Sequence, residues 1–258
     1  MKQPKNWSDI TIRKYIERVK LSRKSGSELE TIEQMIKLAA VTFECSEEEA
    51  ANIGLDKLNQ VNQLFKSDKP TKIVKEIRLN GQHFEFELNP NKLTASQYAG
   101  VMEATKDIDI NLHLFLFHLA RPYNYSWFRK KYIKLEDHQT IELIDQFKDI
   151  PMSVANPIAV FFFQSLNRVH ENFKRLFRSE VEGDEQNTRP NKNRLAKRYG
   201  WFKTIKDVSE QLNENWDATG ERNLIDFLSK LEYLLLESEV KAEEMERERI
   251  KNELRYGK

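Results

Sequence analysis

Asn156-Pro-Ile-Ala-Val-Phe-Phe-Phe-Gln-Ser-Leu-Asn-Arg-Val169 decides the fold class. Proline suits the first turn of a helix, where its missing N–H would be unpaired in any case. Behind it Phe162, Leu166, Val169, Phe173 and Leu176 recur every three or four residues, a spacing that sets them on one face of an α-helix of about five turns. Ile158 to Phe163 is apolar on every side and reads as the most buried segment of the chain. Such a helix requires other helices around it, and the sequence upstream supplies them. Thr94 stands as an N-cap before Tyr98, Val101 and Met102. Asn111 stands in the same way before Leu112, Phe115, Leu116 and Leu119, with Arg121-Pro122 as the stop.

Residues 1–66 read as a cluster of short helices. Ile12, Tyr15, Ile16 and Val19 fall at i, i+3, i+4 and i+7, and Gly26 then takes the usual C-terminal stop position. Ser27 with Glu30 and Ser46 with Glu49 match the capping box, in which a hydroxyl and a carboxylate satisfy backbone donors that a helix start leaves unpaired. The first of these helices carries Leu29, Ile32, Ile36, Ala39 and Phe43; past Gly54 a further one carries Leu58, Val61, Leu64 and Phe65. A polar joint, 66–71, leads to alternating runs on either side of Asn80-Gly81. That dipeptide is the strongest short hairpin signal, because a type I′ turn requires positive φ at both central residues. The register puts Leu79 opposite Gln82, Ile77 opposite Phe84 and Ile73 opposite Leu88. It gathers Ile73, Ile77, Leu79, Phe84, Phe86 and Leu88 on one face, and leaves Glu76, Arg78, His83, Glu85 and Glu87 on the other. Two strands alone are marginal in water, so the apolar face requires helices, a third strand or another subunit.

Glu180 to Asn193 has no periodicity and reads as an exposed linker. Beyond it Leu195, Tyr199, Trp201, Phe202 and Ile205 suggest a small helical unit, and Leu224 begins a long terminal helix with Leu228, Leu231 and Leu235. Apolar contacts are dense to Leu236. From Glu237 to Glu253 the helix carries 7 acidic and 4 basic residues. Val240, Met245, Ile250 and Leu254 are the apolar side chains there, too sparse to hold a helix by burial, so this end is expected to fray alone and to bind a partner through those four. The expected architecture is mainly α. It comprises an N-terminal helical subdomain (1–66), one inserted β-hairpin (73–88) with a central helical core (72–179), a linker (180–193) and a C-terminal helical region (194–258).

The composition agrees. Only 8 Gly and 7 Pro occur in 258 residues, which disfavours a turn-rich sandwich or barrel. Lys and Arg number 42 against 41 Asp and Glu, so the whole chain carries no nucleic-acid footprint. The longest apolar run, Ile158 to Phe163, is far short of a membrane span, and the first residues have no apolar signal core. The glycines stand at least 17 residues apart, which excludes phosphate-cradling glycine loops. Single Cys45 excludes an internal disulfide and reads as a small core residue rather than a nucleophile. His113 and His118 are five apart, on different helical faces, where a zinc pair wants four. Asp107 and Asp109 lack the glycine and distal glutamate of a calcium loop and read as helix caps. The sequence thus points to no catalytic residue, cofactor or metal and to a binding protein rather than an enzyme. Two basic segments stand apart. Residues 1–24 hold 8 Lys or Arg against 2 acids, and 192–206 hold Lys192, Arg194, Lys197, Arg198 and Lys203 among aromatics. Basic plus aromatic is the pattern that single-stranded nucleic acid requires, and it defines the alternative reading of a nucleic-acid-associated protein.

Several blocks, in order, resemble structural and assembly proteins of tailed bacteriophages, especially crAss-like and related phages. They are Trp7-Ser-Asp-Ile-Thr-Ile-Arg-Lys-Tyr15, Leu93-Thr-Ala-Ser-Gln-Tyr98, Asn111-Leu-His-Leu with Ala120-Arg-Pro-Tyr123, Pro151-Met-Ser-Val, Phe161-Phe-Phe-Gln-Ser-Leu166 and Tyr199-Gly-Trp-Phe. The resemblance implies an assembly chaperone, internal cargo or head-to-tail component that binds other phage proteins such as tail, portal or ring components. It also implies an oligomer within an assembly, in the host cytoplasm during assembly and in the virion. No functional residue carries over from it.

Overall fold

The computed structural model describes residues 3–23, 28–67, 71–127, 129–133, 137–177 and 190–256. Mainly helical, as expected, the described residues form twelve α-helices and one four-stranded antiparallel sheet. The chain divides into two compact units, each discontinuous: 1–88 with 100–165, and 89–99 with 166–258. Residues 1–66 and the hairpin therefore share a unit. Ser27 and Gly26, the expected cap and stop, lie outside the described residues, as does most of the expected linker. Pro190–Asn193, read as linker, begin a helix instead.

In the first unit, α1 (Ile12–Ser22) starts at Thr11, whose hydroxyl accepts from the Lys14 N–H. It is followed by α2 (Glu28–Phe43), α3 (Glu47–Ala51) and α4 (Leu55–Lys66). The Ser46–Glu49 capping box forms in both directions, at 3.2 and 3.1 Å. Ala39, Phe43 and Ala50 are buried together, with Cys45 packed against them.

Strands β1 (Glu76–Leu79) and β2 (Gln82–Phe86) pair in the expected register, Leu79 with Gln82 and Ile77 with Phe84. The ladder is shorter than 73–88, and Ile73 and Leu88 lie beyond it. Asn80 and Gly81 have φ of 44° and 88°. A Cβ on Gly81 would meet nothing within 4 Å, so substitution there acts through the backbone alone. Gly81→Val should destabilise the protein by about 1–3 kcal/mol, whereas Gly81→Asn, a residue that tolerates this region, should be close to neutral. Equal melting temperatures for the two variants would refute the turn.

Of the supports open to the hairpin, a third strand extends the sheet, and Phe147 packs on Phe84 and Phe86 of its apolar face. β3 (Ala120–Ser126) pairs with β2, and β4 (Arg129–Tyr132) pairs with β3 to form a second hairpin. β3 follows directly on α6 (Ile108–Leu119). Asn111 does not cap that helix. Its N–H and that of Ile110 both donate to the Asp107 carbonyl, so the helix begins a turn earlier and Asn111 lies inside it.

The long helix α8 (Met152–Asn172) also begins before its expected start. The Met152 N–H donates to Ile10 O at 2.7 Å, Ile12 N–H donates to Ile150 O at 2.9 Å, and Val154 and Ala155 donate to Pro151 O. A helical turn is thus established ahead of Pro157, which sits inside the helix and removes one internal bond. Phe162, Leu166, Val169 and Phe173 are buried, as the stripe predicts. Ile158 to Phe163 is not buried on every side, however. Val160 is 54% and Phe161 40% exposed, because the helix lies at the surface and offers only one face to the core. Phe115 meets Phe162 edge-on and stacks on Phe163, while Phe147 meets Phe84, Phe86 and Phe117. In the same unit the His118 ring fills the space that a Cβ on Gly100 would need. Burial pushes His118 and His113 down to about 4.

The second unit is centred on Tyr98, which belongs to α5 (Ala95–Thr105) and is fully buried. Its hydroxyl lies 3.0 Å from His170 Nε2, and its ring meets Trp201 edge-on. Thr94 caps α5 as expected, its hydroxyl accepting from Gln97 N–H while the Gln97 side-chain Oε1 accepts from Thr94 N–H. Trp201 and buried Ile205 belong to α10 (Pro190–Leu212), which breaks at Gly200 with φ of 46° and ψ of −126°. Past α11 (Trp216–Gly220), Asn223 starts α12 (Leu224–Tyr256): its side-chain Oδ1 accepts from Ile225 N–H, and its side-chain Nδ2 donates to Asn91 O.

Candidate interaction surfaces

Helix α12 has 33 residues, with no glycine or proline to end it early. Leu224, Phe227 and Leu228 are buried. The expected dense packing to Leu236 stops short, since Leu235 is 41% and Leu236 43% exposed. From Ser238 to Arg255 every residue is exposed. The helix runs unbroken to Tyr256. Ion pairs line it: Glu237–Lys241 at 2.8 Å, Glu243–Arg247 at 3.9 Å, and Arg249 with Glu246 at 3.0 Å and Glu253 at 3.6 Å. Arg175 holds Glu239 in a further pair.

Of the four residues expected to bind a partner, Val240, Met245, Ile250 and Leu254 are 48, 65, 46 and 82% exposed. They do not share a face. At 100° per residue Val240, Ile250 and Leu254 fall within an arc of about 80°, and Met245 lies on the opposite side. Leu236 joins the three. Its place there was hidden because Leu234, Leu235 and Leu236 are consecutive and point all round the helix.

The second hairpin carries a surface with no sequence signal beyond its aromatic content. Trp127 at its tip is 92% exposed with φ of 48°, and Tyr125 and Tyr132 are more than half exposed. On the face of the sheet that they share, Lys130 bridges Glu76 at 2.6 Å and Glu85 at 3.0 Å. The Tyr123 hydroxyl donates to Glu76 at 2.7 Å, Tyr132 donates to Glu85, and the Lys130 ammonium sits 4.9 Å from the Tyr123 ring centre. The Lys130 hydrogen bond holds the Glu76 carboxyl below its usual range, and that from Tyr132 does the same for Glu85. Lys130 is raised in turn by Glu76. The one ammonium, shared by two carboxylates, pins β4 to β1 and β2.

The other expected sites are absorbed by packing. Asp107 makes no side-chain cap bond; with Asp109 it pairs with Arg23, and Tyr15 donates to Asp109 at 3.0 Å. The Arg23 hydrogen bond lowers Asp107, and burial pushes Tyr15 up to about 12. Among the described residues no group of three His, Cys, Asp or Glu side chains is placed to hold a metal ion. Cys45 lines an open groove of about 770 Å³ with Arg13, Lys14 and Glu44, and burial raises its thiol. In the basic N-terminal segment Arg13 pairs with Asp145 and Asp149, Lys14 with Glu44 and Arg23 with Asp107, and Arg18 lies 4.0 Å over the Phe65 ring. Lys203 pairs with Asp207, while the side chains of Lys192, Arg194, Lys197 and Arg198 lie outside the described residues. No helix among the described residues is long and apolar enough to cross a membrane. Compared with known proteins, the chain matches no family model, no curated protein and no solved structure.

Proposed function

We propose that the protein is a structural or assembly protein of a tailed bacteriophage, without catalytic activity, that works by binding virion proteins, further copies of itself among them. The order of the sequence blocks supports the phage setting, with tail, portal or ring components as partners. The observation that carries the mode of action is the outer half of α12, a regular helix whose residues 238–255 are uncovered while Val240, Ile250 and Leu254 remain on its surface. Amphipathic helices with an open apolar stripe bind by laying that stripe into a partner. The paired cations of the N-terminal segment support this reading over one through phosphate contacts.

Deletion of residues 241–258 tests it. The melting temperature should change little, because residues 241–255 are exposed, while incorporation into purified particles should fall at least about tenfold, a loss of about 1.4 kcal/mol. Full incorporation of the truncated chain would overturn the proposal.

A further inference from the structure

We propose that the outer half of α12 pairs with the same segment of a second copy as an antiparallel two-stranded coiled coil, in a register set by Glu243 and Arg247. This rests on reading α12 as a partner-binding segment, and it names the partner.

Leu236, Val240, Glu243, Arg247, Ile250 and Leu254 follow one another at alternating steps of four and three residues. That is the a/d spacing of a coiled-coil seam, and all six fall within an arc of about 80° on the helix. All six are exposed. Two charges of opposite sign occupy the middle of an otherwise aliphatic seam. In antiparallel alignment an a residue faces a d residue. One alignment sets Leu236 against the partner's Leu254, Val240 against the partner's Ile250, and Glu243 against the partner's Arg247, and the two-fold axis repeats each layer. Every apolar residue then meets an apolar residue and every charge meets its opposite. The Glu243–Arg247 pair within each chain, 3.9 Å apart, becomes half of a four-charge cluster of alternating sign.

The competing arrangements fail on the same residues. A parallel pair in register sets Glu243 on Glu243 and Arg247 on Arg247, two like-charge layers. Sliding the antiparallel pair by one heptad sets Leu236 against Arg247 and Val240 against Glu243, burying charges against hydrocarbon. Polar residues in a seam fix register and orientation in this way at some loss of strength. The flanks permit the pairing. Glu239, Glu246 and Glu253 form one edge, and each already holds an arginine, Arg175 or Arg249. Across that edge Glu239 comes beside the partner's Glu253 and Glu246 beside its own copy, repulsions that Arg175 and Arg249 offset; on the other edge Glu237 comes beside the partner's Lys251 and Glu244 meets its own copy, all at the water-exposed rim. The overlap of about 27 Å ends where Glu232 and Leu234 become half-buried in their own unit, so the tips of the two helices have room.

Sedimentation equilibrium of the full chain tests the pairing. The wild type, at 30.6 kDa per chain, should approach twice that mass, with a dissociation constant of roughly 10–100 µM. E243R and R247E should each weaken self-association at least about tenfold, because each makes two layers like-charged. The double variant E243R/R247E should restore it, and an equimolar mixture of the two single variants should associate as the wild type does. Circular dichroism should stay unchanged throughout, since both residues are exposed. A wild type that stays monomeric at about 200 µM, single variants that associate normally, or a double variant that fails to recover would each overturn the proposal. A monomeric wild type whose 241–258 deletion still abolishes particle incorporation would leave the partner-binding reading intact and remove only self-pairing. Self-association with full incorporation of the truncated chain would do the reverse.

Discussion

Phe162→Ala should lower the unfolding free energy by about 3–5 kcal/mol, while Phe161→Ala next to it should change it by less than about 1 kcal/mol. The two residues are identical in sequence chemistry and differ by 100° on α8. Phe162 is fully buried against Phe115, with ring centres 5.5 Å apart, whereas Phe161 is 40% exposed. Removing the inner ring leaves a cavity that a packed core only partly closes. Much of a stability of about 5–15 kcal/mol would then be lost. Urea denaturation at unchanged slope measures both values. Equal midpoints for the two variants would show that the helix does not present this face to the core.

Phe147→Ala should be as damaging, by about 3–5 kcal/mol, because one ring joins the sheet to the helices behind it. Its centre lies 5.3 Å from Phe84, 6.5 Å from Phe86 and 5.5 Å from Phe117, each nearly edge-on. Such contacts add about 0.5–1.5 kcal/mol each beyond burial. Phe147→Leu keeps most of the volume but loses the three edge contacts, and should cost about 1.5–3 kcal/mol, less than the alanine variant. Amide exchange should separate the two, with the protection of the β2 amides falling steeply in Phe147→Ala alone. Wild-type-like exchange in Phe147→Leu would mean that the ring edges contribute nothing specific.

The sequence was readable where structure is local. Asn80-Gly81 dictates its own turn, and Ser46 with Glu49 and Thr94 with Gln97 close their own caps, so these features follow from neighbours in the chain. The second hairpin was not readable. Its strand Ala120-Arg-Pro-Tyr-Asn-Tyr-Ser126 carries a proline, which argues against a strand by itself. Pro122 is tolerated because it lies at the end of the β3–β4 pairing and takes part there through its carbonyl, which accepts from Ile133 N–H at 3.0 Å, so its missing donor interrupts no ladder. The start of α8 was misread for a related reason: the acceptor for Met152 N–H is Ile10 O, remote in sequence. On α12 the charge pattern was plain, but the face was not. Met245 was grouped with Val240, Ile250 and Leu254 by composition, and Leu236 was assigned to the core, because a run of leucines conceals which side is covered.

The bonds between Ile10, Ile12, Ile150 and Met152 also set a timetable for synthesis. Ile10 and Ile12 are almost fully buried in the finished protein, yet their backbone partners lie some 140 residues downstream. On the ribosome, α1 to α4 emerge first, and the unit that they belong to closes only after α8 has followed. At about 5–20 residues per second, the roughly 100 residues from the end of α4 to Ser165 take about 5–20 s to appear. Throughout that interval the nascent N-terminal helices hold out an unsatisfied backbone edge and an uncovered isoleucine face, so the growing chain is exposed to misassociation longest at its oldest end.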